Sequence, residues 1–155
     1  MKLVQVVLFA VAALLALPAA AQTKSDMQIL ADKIKADKKL VVAANMQLSE
    51  EEAKGFWPVY DAYQKDLAAI NKRLFGVVKS YADAYNMGAV PDETARKLMN
   101  QYLAVEEAEL KLKRAYVPRL EKVVPGTKVA RYMQIENKIR AIVKYELAAQ
   151  IPLVE

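Results

Sequence analysis

The sequence contains no cysteine and no histidine among its 155 residues. Without cysteine, neither a disulfide framework nor a thiolate metal site can form. Without histidine, the chain lacks the commonest general base and the commonest metal-ligating side chain. Only four glycines occur, and none of them belongs to a glycine-rich phosphate loop. The composition therefore argues against a conventional enzyme, and no spacing of residues suggests a catalytic, cofactor-binding or metal site.

The first 21 residues have the layout of a secretory signal peptide. Lys2 is followed by an uncharged apolar run over residues 3–17, and small residues follow Pro18. This order predicts cleavage after about Ala21. An uncleaved membrane anchor is the alternative, although the run is shorter than the roughly 20 residues that a spanning helix needs. We therefore expect an exported, periplasmic protein in which residues 22–155 form a single helical domain.

Periodic apolar residues predict an all-α fold of four helices, at about residues 26–44, 49–86, 91–123 and 127–147. The second helix opens with a helix-cap motif made of Leu48, Ser49 and Glu52, in which Ser49 and Glu52 have the spacing of a capping box. The second and third helices are long and are joined by a short turn that contains glycine. Such a pair is expected to fold back as an antiparallel hairpin.

The second predicted helix carries five heptads with apolar residues in two companion rows. One row is Ala53, Tyr60, Leu67, Leu74 and Tyr81, and the other is Phe56, Tyr63, Ile70, Val77 and Ala84. The second predicted helix, at about residues 49–86, is called α2, and these ten residues are called the α2 seam below. They predict packing along a partner helix. Because helices of this length leave apolar surface uncovered in a small chain, we expect an elongated homodimer.

Two other groups of residues have structural interpretations. Glu106, Glu107 and Glu109 could ligate a metal, but lysines four residues after Glu107 and Glu109 favour an ion-pair face exposed to water. The scattered methionines, which include Met87 and Met99, are interpreted as fillers of gaps in the core.

Basic residues recur on the side of the second helix that is opposite the α2 seam. Lys65, Lys72 and Lys79 are seven residues apart, which predicts a straight basic line exposed to water. The candidate surface for clients or anions consists of Lys54, Lys65, Lys72, Arg73, Lys79, Lys111 and Arg114. Ordinary solubility is one interpretation of these charges, and capture of anionic partners is the other. For an exported protein, nucleic acid is a disfavoured partner, whereas unfolded proteins or an anionic membrane surface fit.

Residues 48–52, Leu-Ser-Glu-Glu-Glu, with the following Phe56-Trp57-Pro58, resemble the motif of the periplasmic LTXXQ-motif family (Spy/CpxP-like). Here Ser49 stands for Thr and Glu52 for Gln. A second motif is weaker, with Val-Pro at residues 124–125 in place of Leu-Thr and Lys128 in place of Gln. The resemblance implies an antiparallel dimer of long helices whose basic and apolar face holds unfolded clients without ATP. Metal responses in that family rely on histidine, so none is expected for this chain.

The sequence thus leaves two functions open. The first is an ATP-independent, chaperone-like holdase or an envelope-stress-associated binding protein. The alternative is a non-catalytic helical interaction module that docks on an envelope sensor or assembly. Suppression of the aggregation of a denatured client distinguishes the first from the second.

Overall fold

The computed structural model describes residues 37–154, and this part of the chain is all-helical, as the sequence predicts. Its four helices are α1 (residues 37–46), α2 (Glu50–Asn86), α3 (Asp92–Glu121) and α4 (Gly126–Gln150). No strand occurs between residues 37 and 154. The expected signal peptide and the start of the first predicted helix lie outside the described residues.

Contacts between Cα atoms divide the described chain into two compact units. The small unit consists of residues 37–48 and 130–150, and the large unit consists of residues 49–129 and 151–154. Helix α4 contributes its first four residues to the large unit and the rest to the small unit.

In the small unit, α1 and α4 each have buried side chains, and a part-buried ion pair joins the two helices. Val42 and Met46, one helical turn apart on α1, are fully buried, as is Tyr132 on α4. The Nζ of Lys38 lies 2.8 Å from Oε2 of Glu136, whose side chain is almost fully buried. A buried carboxylate costs much free energy unless it is paired, so Lys38 offsets that cost.

In the large unit, the middle of the α2 seam forms the core. The buried residues of α2 are Phe56, Tyr60, Tyr63, Leu67, Ile70 and Leu74, and all six belong to the seam. The seam residues near both ends of the helix, such as Ala53 and Ala84, are half-buried. The apolar period of the sequence therefore identifies correctly which side of α2 is covered.

Three contacts define how α2 meets α3 and the turn that follows it. The rings of Tyr63 and Tyr116 pack edge to face with centroids 5.3 Å apart. The hydroxyl of Tyr116 donates a hydrogen bond to Oδ2 of Asp66 at 2.6 Å. Gly55 lies against Val123, close enough that an added Cβ would be 2.9 Å from the valine Cβ.

The turn between α2 and α3 depends on glycine, because Gly88 has a φ of +125°, which L side chains rarely adopt. Pro91 then stands at the N-cap of α3 in an extended conformation. The buried residues of α3 are Leu98, Val105, Glu109, Tyr116 and Leu120. Tyr102 on the same helix is exposed.

Candidate functional site

The lysines of the candidate surface lie on α2 as a line on the side away from the α2 seam. Lys54, Lys65, Lys72 and Lys79 are all exposed to solvent. Residues seven apart are separated by about two helical turns, so their Cα atoms are stacked along the helix axis. Together these four residues are called the lysine line below, and their side chains face water between residues 54 and 79 of α2.

Two members of the lysine line have acidic neighbours on the same helix. The Nζ of Lys54 lies 3.6 Å from Oε2 of Glu51, and the Nζ of Lys79 lies 2.7 Å from Oδ2 of Asp83. All four side chains are more than half exposed. Such surface pairs contribute little, about 0.5 kcal/mol or less each, so they leave the side chains available to another anion.

The other three candidate residues do not join the lysine line in one pocket. Arg73 follows Lys72 directly and is therefore turned away from the line by about 100° around the helix. Lys111 and Arg114 are exposed on α3. The candidate residues are therefore spread over the surface of the large unit.

Sequence reasoning missed a set of exposed apolar residues on the large unit. On α3, the side chains of Met99, Leu103 and Leu110 are 51–56% exposed. On α2, the side chain of Phe75 is 59% exposed. The three α3 residues, spaced by four and seven, lie on one side of the helix and are called the α3 strip below. The interpretation of the methionines as core fillers is therefore wrong for Met99, and also for Met87, which is 85% exposed.

The helix-cap motif holds the start of α2 and connects it to the start of α4. The amide of Glu52 donates to Oγ of Ser49 at 3.2 Å, and the amide of Ser49 donates to Oε2 of Glu52 at 2.8 Å. Leu48, just before the cap, is half-buried. The Nζ of Lys128 donates to the same carboxylate oxygen of Glu52. The bond from Lys128, followed by that from the Ser49 amide, holds the pKa of Glu52 below its usual value of 4.5.

The acidic cluster of α3 is less exposed than expected. Glu109 pairs with Lys113 at 2.9 Å, which is the expected spacing, but its side chain is buried and does not belong to a water-exposed face. Between residues 37 and 154, no three acidic side chains are placed to share a metal ion. Glu109 is thus a paired core residue of the large unit.

Tyr116 is the polar centre of the contact between α2 and α3. Its burial, followed by its hydrogen bond to Asp66, raises the pKa of the phenol. The guanidinium carbon of Arg119 lies 4.6 Å from the centre of the Tyr116 ring, within the range of a cation–π contact. This cluster joins the two long helices by directional contacts in addition to apolar packing.

Two further findings are negative. Over the described residues, no helix has the length and hydrophobicity that crossing a bilayer requires. Comparison with protein families, with curated proteins and with solved structures gave no match.

Proposed function

We propose that this chain is an exported, non-catalytic helical protein that binds unfolded proteins of the bacterial envelope and keeps them from aggregating without ATP. The lysine line carries the proposal. It presents four exposed cations along the side of α2 that is opposite a buried apolar seam. The exposed Phe75 and the α3 strip add apolar surface to the same unit.

Capture would begin with charge and continue with apolar contact. Oppositely charged surfaces attract over about a Debye length, so an acidic segment of an unfolded client meets the lysine line first. Exposed leucine, methionine and phenylalanine side chains then cover apolar residues of the client, and each buried methylene adds about 0.8 kcal/mol. A client held in this way has fewer apolar groups available to other clients, which slows its aggregation.

The arrangement of the large unit supports an antiparallel helical hairpin as the scaffold of this surface. Gly55 lies against Val123, and Tyr63, which is later on α2, contacts Tyr116, which is earlier on the α3 side. This order of contacts is expected for two helices that run in opposite directions. We propose that two such hairpins form a homodimer, because helices of this length leave apolar surface uncovered in a small chain. A strict monomer in sedimentation at high micromolar concentration would contradict the dimer.

The proposed location and family rest on the sequence. The basic start, apolar run and small residues before Gln22 support export to the periplasm with removal of the first 21 residues. The residues of the helix-cap motif support membership of the periplasmic LTXXQ-motif family as a divergent member. The capping geometry of Ser49 and Glu52 is compatible with the Thr and Gln of that motif, since either pair can cap a helix.

Light scattering of a denatured client mixed with an equal molar amount of the purified chain tests the function. Suppression of aggregation is expected at about 0.01 M salt and should weaken towards 1 M, because the Debye length falls from about 30 Å to about 3 Å. A chain that fails to suppress aggregation at low salt would refute the holdase. Recovery of one stoichiometric partner, unaffected by added client, would instead favour docking on an envelope sensor or assembly.

A further inference from the structure

The small unit contains a cleft between the end of α1 and the first half of α4, with a volume of about 310 Å³. Its polar lining residues are Asn45, Gln47, Arg131, Gln134 and Lys138, and it is called the basic cleft below. None of the described residues that line it is acidic. Pockets that bind small molecules have volumes of about 300–1,000 Å³, so this cleft has room for a small ligand.

Helix α4 supplies the two cations of the basic cleft. Arg131 and Lys138 are seven residues apart, so they lie on the same side of α4, about 10 Å apart along its axis. Ile135 lies between them on that side and also lines the cleft. Both cations are exposed, and Lys138 makes no hydrogen bond or ion pair within residues 37–154. The cleft thus presents two separate positive charges with an apolar side chain between them.

The residue that follows α1 holds Arg131 at the cleft. Gln47 has a φ of +50°, a left-handed conformation that favours glycine at the end of a helix. Its Oε1 accepts a hydrogen bond from Nη1 of Arg131 at 3.2 Å, which uses one of the five N–H donors of the guanidinium. Asn45 uses one of its two amide donors on the carbonyl of Val41 at 2.8 Å. Donors of Arg131 and Asn45 therefore remain for a ligand.

The described carboxylates of the small unit form no ion pair with the two cations of the cleft. Glu136 follows Ile135 in the sequence, but it is buried and pairs with Lys38 at 2.8 Å. Asp37 and Glu146 do not line the cleft. A guanidinium binds two oxygens of a carboxylate or phosphate as a fork, and an ammonium group attracts an anion as a point charge. Both charges of the cleft are therefore available to anionic groups of a ligand.

We propose that the basic cleft binds a small, elongated molecule that has an oxoanion group at each end. Arg131 binds one end, Lys138 binds the other, and Ile135 contacts the spacer between them. A ligand with one charged group engages only one of the two cations, so a molecule with two such groups binds more tightly. Carboxylates and phosphates both supply this chemistry. The cleft lies in the small unit and the lysine line in the large unit, so the proposal goes beyond client binding and does not depend on it.

NMR titration of the ¹⁵N-labelled chain compares two matched ligands. Suberate is a linear molecule with a carboxylate at each end, and octanoate has the same chain length with one carboxylate. At about 0.01 M salt, where the Debye length is about 30 Å, suberate should shift the side-chain amide signals of Asn45 and Gln134. It should bind about fivefold more tightly than octanoate, because the second carboxylate adds one exposed ion pair. A parallel titration with hexane-1,6-diol bisphosphate shows which of the two oxoanions binds more tightly.

Two substitutions and a matched control locate the site. Arg131→Gln and Lys138→Gln each remove one exposed charge and should weaken the binding of suberate about fivefold. Lys138→Gln should also bring the affinity for suberate down to that for octanoate. Lys97→Gln removes an exposed charge from the large unit and should leave the affinity for suberate unchanged. Circular dichroism melts show whether each variant folds.

Equal affinities of the unaltered chain for suberate and octanoate would overturn the assignment of a ligand with two charged ends. An equal loss of affinity in Lys97→Gln would also overturn it, because the overall charge of the chain would then attract the ligand. Signals that shift only in the large unit would place the ligand away from the basic cleft and contradict the site. The absence of any shift with millimolar suberate or bisphosphate would contradict it as well. Client binding is measured separately by light scattering, so the two proposals can fail independently.

Discussion

Two glycines of α2, Gly55 and Gly76, differ in the space around them. Alanine substitutions at the two positions therefore test how closely this helix packs in the large unit. A Cβ added at Gly55 would lie 2.9 Å from the Cβ of Val123 and 3.1 Å from its Cγ1, whereas nothing lies within 4 Å of one added at Gly76. Both glycines are inside α2, where alanine is favoured over glycine by about 1 kcal/mol. Gly76→Ala is therefore expected to raise the free energy of unfolding by about 1 kcal/mol.

At Gly55 the same gain is opposed by a steric clash. The close atoms are the stem of a β-branched side chain, which has few rotamers with which to move away. Overpacking of this kind costs about 1–3 kcal/mol, so Gly55→Ala should lower the free energy of unfolding by up to about 2 kcal/mol after the helix gain is subtracted.

Urea unfolding followed by circular dichroism measures both changes under one condition. The expected result is a difference of sign between the two alanine variants, with Gly76→Ala more stable than the unaltered chain and Gly55→Ala less stable. Equal stabilisation by both substitutions would refute the close approach of α2 to Val123, and with it the register of the two long helices.

Three further predictions concern single polar contacts. Glu52→Gln should lower the free energy of unfolding at neutral pH, because the carboxylate of Glu52, whose pKa is lowered in the folded state, stabilises the fold only while it is ionised. The difference in free energy between the variant and the unaltered chain should vanish as pH falls below about 4.5. A difference that persists at pH 3 in urea unfolding would contradict this. Lys38→Met removes the ammonium group that lies 2.8 Å from the buried carboxylate of Glu136 and should cost up to about 3 kcal/mol, and a second change of Glu136→Met should restore most of the loss, as a double-mutant cycle would show. Tyr116→Phe removes the hydrogen bond to the carboxylate of Asp66 and should lower the free energy of unfolding by about 1.5 kcal/mol. Urea unfolding should show this as a lower midpoint with an unchanged slope. An unchanged midpoint would mean that the hydrogen bond adds nothing to stability.

The sequence predicts the helices and the buried side of α2 well, because both follow from local patterns. The apolar period of seven places residues such as Phe56 and Leu67 on one side of a helix whatever they pack against. The start of α2 is equally local, since Ser49 and Glu52 satisfy each other within one turn. These features need no knowledge of the rest of the chain.

Contacts between distant segments could not be predicted in the same way. Nothing in the spacing of α4 indicates that Glu136 is buried beside Lys38, 98 residues earlier. Likewise, the exposure of Met99 depends on which side of α3 another helix covers, and composition alone suggests core packing for methionine. The division of the described chain into two units is also a property of long-range contacts.

The candidate surface was predictable as a pattern of charge but not as a complete surface. The spacing of Lys65, Lys72 and Lys79 is sufficient to place them together on the exposed side of α2. The apolar side chains that stand beside basic residues, such as Phe75 three residues after Lys72, become visible only when burial is known. A search for large apolar residues directly after seam positions, as Phe75 follows Leu74, would have found some of them.

Aggregation suppression by a charge-neutralised variant tests the central claim, that the lysine line captures clients, most directly. Lys65→Gln with Lys72→Gln removes two charges from the line, and Lys97→Gln with Lys122→Gln removes two exposed charges elsewhere on the large unit. At low salt, the first variant should need more protein than the second to halve light scattering by a denatured client, and the two should converge at high salt. Equal activity of both variants at low salt would contradict the claim, because suppression would then not depend on the lysine line.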